Sequence, residues 1–320
     1  MKFVYIITSD LKDFYAEQTL ASIYSLKFHN PEASVIILTD KTTSLKAHPS
    51  TINRCKELAD DYCEIQVPQG YNNKQKSRFL KTSIPNYVKE DFLYLDGDTI
   101  ITGDLNELNT MDVSIAAVLD AHGRQNVNYK LYEYMKITEK KKWRKDQFFN
   151  GGVLLVKNTN LSKNFFEDWH FLWKTELEKY GIENDQASLS QTDLKHGFVI
   201  KELEGKFNCQ IFFSGSTKYL MAAKIIHYYA DGGDENAFPL KNKETLRYIR
   251  ENGITGPILA IVGSPLQAYL ENSKILKGKE LLIYDSALSK ASRYMARRVK
   301  WINAVFDYFY NLYKKRYERL

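Results

Sequence analysis

Two carboxylates, Asp96 and Asp98, stand either side of Gly97 at the end of the apolar run Phe92-Leu93-Tyr94-Leu95. Carboxylates this close repel each other unless a cation sits between them. Hard divalent ions such as Mg²⁺ or Mn²⁺ take oxygen ligands and combine one or two carboxylates with phosphate oxygens of a ligand. Gly97 lets a diphosphate approach the backbone. The apolar run reads as a buried strand, and ligands of open α/β sheets bind beyond the carboxyl ends of their strands. Taken alone, Asp-Gly-Asp after a strand is equally ordinary turn chemistry.

Other residues could join such a site. His227 follows two isoleucines; it reads either as a packed histidine or as a third ligand, since neutral imidazole binds borderline metals such as Mn²⁺. Lys76 and Arg78 sit two apart on a helical stretch, so their side chains diverge. One faces the diphosphate or the strand-end carboxylates and the other faces solvent. Arg78 is the choice for the site, because its planar fork suits phosphate and carboxylate.

The elements that must position these groups alternate along the chain. Residues 3–8 read as a strand, 15–29 as a helix with apolar residues near helical spacing, and 34–39 as a second strand closed by Asp40. A helix-compatible stretch at 51–60, a short strand at 62–67, a helix at 74–89 and a strand over 91–95 follow. Strands at 113–119 and 148–156 and a helix at 161–180 continue the pattern, and after about 235 the rest looks mostly helical. Such alternation argues for an α/β layer with a mainly parallel, Rossmann-like sheet. The charged segment 136–145 reads as a solvated loop or as a mobile basic lid over the site.

The run LYLDGDTIITGDL resembles the metal-binding D-x-D segment of glycosyltransferase family 8, a retaining group that includes bacterial lipopolysaccharide galactosyl- and glucosyltransferases and glycogenin. Further segments agree in order and approximate spacing. VYIITSD with AEQTLASIYSL resembles the family's nucleotide-binding strand and helix, and Lys76-Ser77-Arg78-Phe79 the basic helix before the D-x-D. Phe149-Asn150-Gly151-Gly152-Val153 resembles its F-N-x-G-V segment, Asn184-Asp185-Gln186 its D-Q pair, and Ile226-His227-Tyr228 the segment supplying a metal-bound histidine.

The resemblance spans about residues 1–235 and implies a GT-A fold, a single α/β domain on a Rossmann-like nucleotide-binding half. It implies Mn²⁺ (or Mg²⁺) held by Asp96, Asp98 and His227, and a UDP-sugar donor, galactose or glucose favoured. Thr8, Ser9 and Asp10 would meet the uridine, with Asp10 accepting from a base N–H and Tyr15 stacking on the pyrimidine, unless this is a plain polar turn. Arg78, Asn150 and Gly151 would complete the donor site. Gln186 would sit beside the anomeric carbon and Asp185 would grip donor hydroxyls, the alternative being that Asn184 and Asp185 merely cap a helix. One departure stands out: the family's Gly-x-x-Lys-Pro-Trp-like segment is HYYADGGDENAF here, without the diphosphate-binding lysine.

The net charge of +6 is uneven: residues 290–320 hold nine Lys/Arg against two acids, leaving the body near −1. Apolar residues at 295, 299, 302, 306, 309 and 313 form one stripe of a basic, aromatic amphipathic helix. It reads as lying on an anionic membrane surface, or as a packed helix with a solvated basic face. Expected domains are therefore 1–235 for catalysis, 236–287 as a helical extension and 288–320 as the membrane-associating helix. No nucleic-acid module is recognisable. Cys55, Cys63 and Cys209 suggest neither disulfides nor zinc, which fits a reducing compartment. The N-terminal apolar run reads as a strand rather than a leader. The expected setting is the cytoplasmic face of a membrane, with a glycan or lipid-linked acceptor. Two rivals are a sugar nucleotidyltransferase, although TSDLKDFYA lacks the glycines of a triphosphate cradle, and a catalytically silent nucleotide-sugar-binding protein.

Overall fold

Every side chain of Phe92–Leu95 is buried, because this strand lies at the centre of a sheet covered on both faces. The computed structural model describes residues 1–123, 137–138, 148–230 and 238–272. Its strands are β1 (Lys2–Ile7), β2 (Ser34–Asp40), β3 (Asp61–Ile65), β4 (Phe92–Leu95), β5 (Thr99–Ile101), β6 (Ile115–Leu119), β7 (Phe149–Val156), β8 (Ile200–Glu202), β9 (Cys209–Gln210) and β10 (Ile225–His227). Its helices are α1 (Tyr15–His29), α2 (Lys41–Lys46), α3 (Pro49–Leu58), α4 (Asn73–Thr82), α5 (Ile84–Tyr87), α6 (Asn160–Tyr180), α7 (Gln186–Lys195), α8 (Lys243–Asn252), α9 (Pro257–Gly263) and α10 (Pro265–Asn272).

The main sheet runs β3-β2-β1-β4-β7-β6-β8. Strands β1 to β4 pair in parallel, as expected, whereas β7 runs antiparallel to both β4 and β6. Alternate residues of β1 and β4 face opposite layers. Val4, Ile6, Phe92 and Tyr94 meet Leu80 of α4 and Phe165, Phe166 and Trp169 of α6. On the other face, Tyr5 bonds Ser22 of α1 at 3.1 Å.

A second, three-stranded sheet, β5-β10-β9, had no clear signature in the sequence because its strands are only two or three residues long. It matters for the site: its register sets His227 opposite Thr99, immediately after Asp98. The helix expected over 74–89 breaks at Ser83: α4 ends at Thr82, and α5 starts at Ile84 with Pro85, unable to donate a backbone hydrogen bond, in its first turn. A capping box between Asn72 and Gln75 starts α4.

Residues Met1–Ser273 form one compact unit. Helices α8 and α9 lie against α1 and α8 against α3, covering a face of α1 that includes the buried polar residues Glu17 and Gln18. Most of 136–145 and all of 288–320 lie outside the described residues, as does the remainder of the 236–287 extension beyond 272. No described helix is long and apolar enough to cross a membrane.

Candidate metal and donor-binding centre

Beyond the carboxyl end of β4, Asp96 and Asp98 meet His227, and one ligand atom from each lies within 4.8 Å of the other two. Asp98 Oδ1 is 3.2 Å from His227 Nε2, and Asp98 Oδ2 accepts from the Ala230 amide at 2.9 Å. Burial works to raise the Asp98 pKa, but His227 and the amide override it and hold the carboxyl below its ordinary value. Burial works to lower the His227 pKa, and the facing carboxylate, Asp98 foremost, raises it instead.

The far side of His227 fixes its tautomer. Asn208 donates through Nδ2 to Asn150 Oδ1 at 2.9 Å, which leaves Asn208 Oδ1 to accept from His227 Nδ1 at 3.1 Å. The proton therefore sits on Nδ1, and in the neutral ring Nε2 offers its lone pair toward the carboxylates. Gly152 keeps this space open: a Cβ there would come within 2.5 Å of His227 Cε1 and 2.8 Å of Asp96 Oδ2. Two carboxylates and an oriented imidazole are a donor set suited to Mn²⁺ or Mg²⁺.

A belt of cations lies under the carboxylates. Arg78 Nε is 3.0 Å from Asp185 Oδ1, and Lys81 Nζ is 3.3 Å from Asp185 Oδ2 and 3.6 Å from Asp96 Oδ1. The Tyr94 hydroxyl also donates to Asp96 Oδ1. Burial would raise the Asp185 pKa, yet Lys81 and Arg78 pull it below the usual carboxylate range. Helix-start capping falls to Asn184, whose Oδ1 accepts from the Gln186 amide at 2.8 Å; the Asp185 side chain makes no cap bond. Gln186 Nε2 donates to the Phe149 carbonyl at 3.0 Å, and its Oε1 meets no protein donor among the described residues. Lys76, expected to face solvent if Arg78 faces the site, is buried and pairs with Asp40 at 2.9 Å.

Asn150 forms the wall beside them. Its Nδ2 donates to Asp120 Oδ1 (3.1 Å) and Tyr229 Oη (2.9 Å), while its Oδ1 accepts from Gly152 N and Asn208. All four hydrogen-bonding positions of the amide thus go to protein groups. Tyr229 stacks on His227 at 4.2 Å and 7° and holds a φ of 54°. Left-handed backbone at a non-glycine residue is strain that the surrounding contacts must hold. Gly151, on the same strand, leaves room for the Lys81 side chain, 3.2 Å from where a Cβ would stand.

The polar loop after β1 borders a cleft of about 380 Å³ lined by Ser9, Asp10, Gly70, Tyr71, Asn73 and Lys76, among others. Thr8 Oγ1 donates to the Asn73 carbonyl at 2.8 Å, and Ser9 Oγ donates to Asp13. Asn73 Nδ2 lies 3.4 Å from Asp10 Oδ2 and 3.2 Å from Asp13 Oδ2. Tyr15 begins α1 and is 38% exposed. Sequence reasoning missed Lys81, Tyr94, Asn208 and Tyr229; the F-N and I-H-Y neighbourhoods flagged the region but not these partners.

The sequence matches the family model described as glycosyl transferase family 8 over residues 6–232. A search of curated protein sequences finds no match. Among solved structures, the glycosyltransferase GlyE of Streptococcus pneumoniae in its apo form superposes with a TM-score of 0.51 at 20% identity, over 87% of this chain. The chain spans only 65% of GlyE. The galactosyltransferase LgtC, solved with donor and acceptor sugar analogues, gives a TM-score of 0.52 at 15% identity, covering 80% of this chain and 98% of LgtC. An active-site Gln-to-Glu variant of LgtC gives 0.52 at 16% identity, over 82% and 99% of the two chains. At these identities the likeness establishes the fold, which is GT-A. The family match extends over every site residue described above, and the chain belongs to glycosyl transferase family 8.

Proposed function

We propose that this glycosyltransferase moves a hexose, galactose or glucose, from a UDP-sugar to a hydroxyl of a glycan or lipid-linked acceptor, with retention and with metal assistance. The observation that carries the reading is the convergence of Asp96, Asp98 and His227 beside the Lys81–Asp185–Arg78 belt and Gln186. When bound, a divalent ion offsets charge developing on the leaving diphosphate. Asp96, Asp98 and His227 would hold it, His227 through Nε2. The loop Thr8–Asp10 and Tyr15 would meet the uridine at the mouth of the neighbouring cleft, with Lys76 lining it. Gln186, whose oxygen meets no protein donor among the described residues, would face the anomeric carbon and stabilise positive charge there. Asp185, fixed by two cations, would orient donor hydroxyls. Under this reading the incoming hydroxyl would lose its proton to the departing diphosphate on the same face of the sugar.

Release of UDP from a panel of UDP-sugars with Mn²⁺, wild type against Asp98→Ala, tests this. Metal-dependent release abolished by the substitution supports the reading, and the best donor names the sugar. If no donor reacts and calorimetry finds no metal-dependent UDP binding, the reading fails. The basic stripe of 288–320 supports docking on an anionic leaflet. Deleting that segment should release the protein from anionic vesicles at low salt, and undiminished binding would refute it.

A further inference from the structure

We propose that Arg250 is a positioning residue for the donor nucleotide, making helix α8 a buttress of the loop after β1. The guanidinium meets Glu17 in a two-point pair, Nε to Oε1 at 2.9 Å and Nη2 to Oε2 at 3.1 Å. Glu17 is fully buried and also accepts from Thr51 at 2.9 Å. The remaining donors of the same fork reach the loop: Nη1 to the Leu11 carbonyl at 3.1 Å and Nη2 to the Asp13 carbonyl. The Phe14 ring lies under the guanidinium, 4.3 Å from its carbon. Only a planar, five-donor group can serve both an acid and two carbonyls from one position.

The buttress is itself anchored. Arg54 of α3 donates to the carbonyls of Ile249 (3.3 Å) and Arg250 (3.2 Å), and Ser50 to that of Arg250 (3.0 Å). On the opposite side of the loop, the Asp13 carboxylate accepts from the amides of Asp10 and Tyr15, each at 3.2 Å, and from Asn73. Asp13 thus has its carbonyl tied to the C-terminal helices and its carboxylate tied to the residue that faces the nucleotide cleft. A loop held before binding spends less ordering entropy on its ligand.

This inference rests on the nucleotide reading for its affinity effect, so two measurements separate the two. In calorimetry with Mn²⁺, Arg250→Gln should weaken UDP about tenfold and Arg250→Lys less, while affinity for Mn²⁺ alone stays unchanged. Glu17→Gln keeps the carbonyl bonds of Arg250; it should lower the melting temperature yet leave UDP affinity within about twofold. Equal UDP binding by wild type and Arg250→Gln, or equal weakening by Glu17→Gln at matched melting temperature, overturns the proposal. Hydrogen exchange at the amides of residues 10–15 without nucleotide should be faster in Arg250→Gln than in Glu17→Gln, and equal rates overturn the proposal. Absence of UDP binding by the wild type instead sinks the nucleotide reading and leaves the exchange result to decide the buttress.

Discussion

Lys81 and Asp185 face each other across 3.3 Å with 3% and 7% of their side chains exposed. The ammonium also lies 4.8 Å from the centre of the Tyr94 ring and 3.6 Å from Asp96, so one cation sits between two carboxylates and an aromatic face. Removing Lys81 leaves Asp185 paired with Arg78 alone and Asp96 with only the Tyr94 hydroxyl, so part of the buried negative charge loses its compensation. Lys81→Met should therefore reduce unfolding free energy by about 3 kcal/mol in urea titration. Lys195→Met, which breaks the exposed pair with Asp168, should cost less than about 1 kcal/mol. Equal losses would mean that Lys81 is screened by solvent after all.

The hollow at Gly152 makes a sharper prediction about the metal. A single methyl group would press on His227 and Asp96 and also come within 3.0 Å of Asn150 Oδ1. Gly152→Ala should weaken Mn²⁺ at least about tenfold in a calorimetric titration. Gly123→Ala, whose nearest neighbour is a carbonyl at 3.9 Å, should leave it unchanged. Wild-type affinity in Gly152→Ala would show that the ion lies elsewhere.

Asn208 acts one step further out. It holds the proton of His227 on Nδ1, and partners of this kind typically contribute 10- to 100-fold to metal affinity. Asn208→Leu should shift the Mn²⁺ activation curve to higher concentration by about that factor without changing the maximal rate. A lowered maximum at an unmoved midpoint would assign Asn208 to the chemistry instead.

Gln186 should separate rate from binding. Its amide nitrogen is tied to Phe149, so its oxygen has a fixed direction. Gln186→Ala should lower kcat by about 100-fold, in the range of a lost charge-stabilising group, with UDP affinity retained. Parallel losses in both would make it a donor-binding residue.

How much of this could be read beforehand depends on whether neighbours in sequence become neighbours in space. A strand buried on both faces is a continuous apolar run, so β4 and its Asp96-Gly97-Asp98 end were legible. Lys81 was not. In NKQKSRFLKT the cations resemble those of a solvated helix, yet Lys76, Arg78 and Lys81 all turn inward to acids from distant segments. The β5–β10 pairing that delivers His227 joins residues more than a hundred positions apart. Family resemblance supplied that contact; periodicity could not.

Acid should weaken the fold before the carboxylates titrate, and His170 is a cause that can be isolated. Burial, with a minor contribution from Lys174, lowers its pKa from 6.5 to about 4. The ring is wedged against Phe79 at 4.9 Å and bonded to Thr82 Oγ1 at 2.7 Å. Below pH 6.5 the unfolded chain takes up a proton at this residue that the folded one refuses until about pH 4. The stability due to neutral His170 is therefore complete above 6.5 and drains away as pH falls toward 4. His122, also lowered to about 4, acts in the same direction, whereas His227, raised by Asp98, acts in the opposite one. Urea midpoints at pH 7.5 and 5.0, in metal-free buffer, should fall less for His170→Gln than for the wild type. The substitution removes one proton-uptake site and leaves the others in place. An identical fall in both proteins would mean that His170 protonates freely in the folded state.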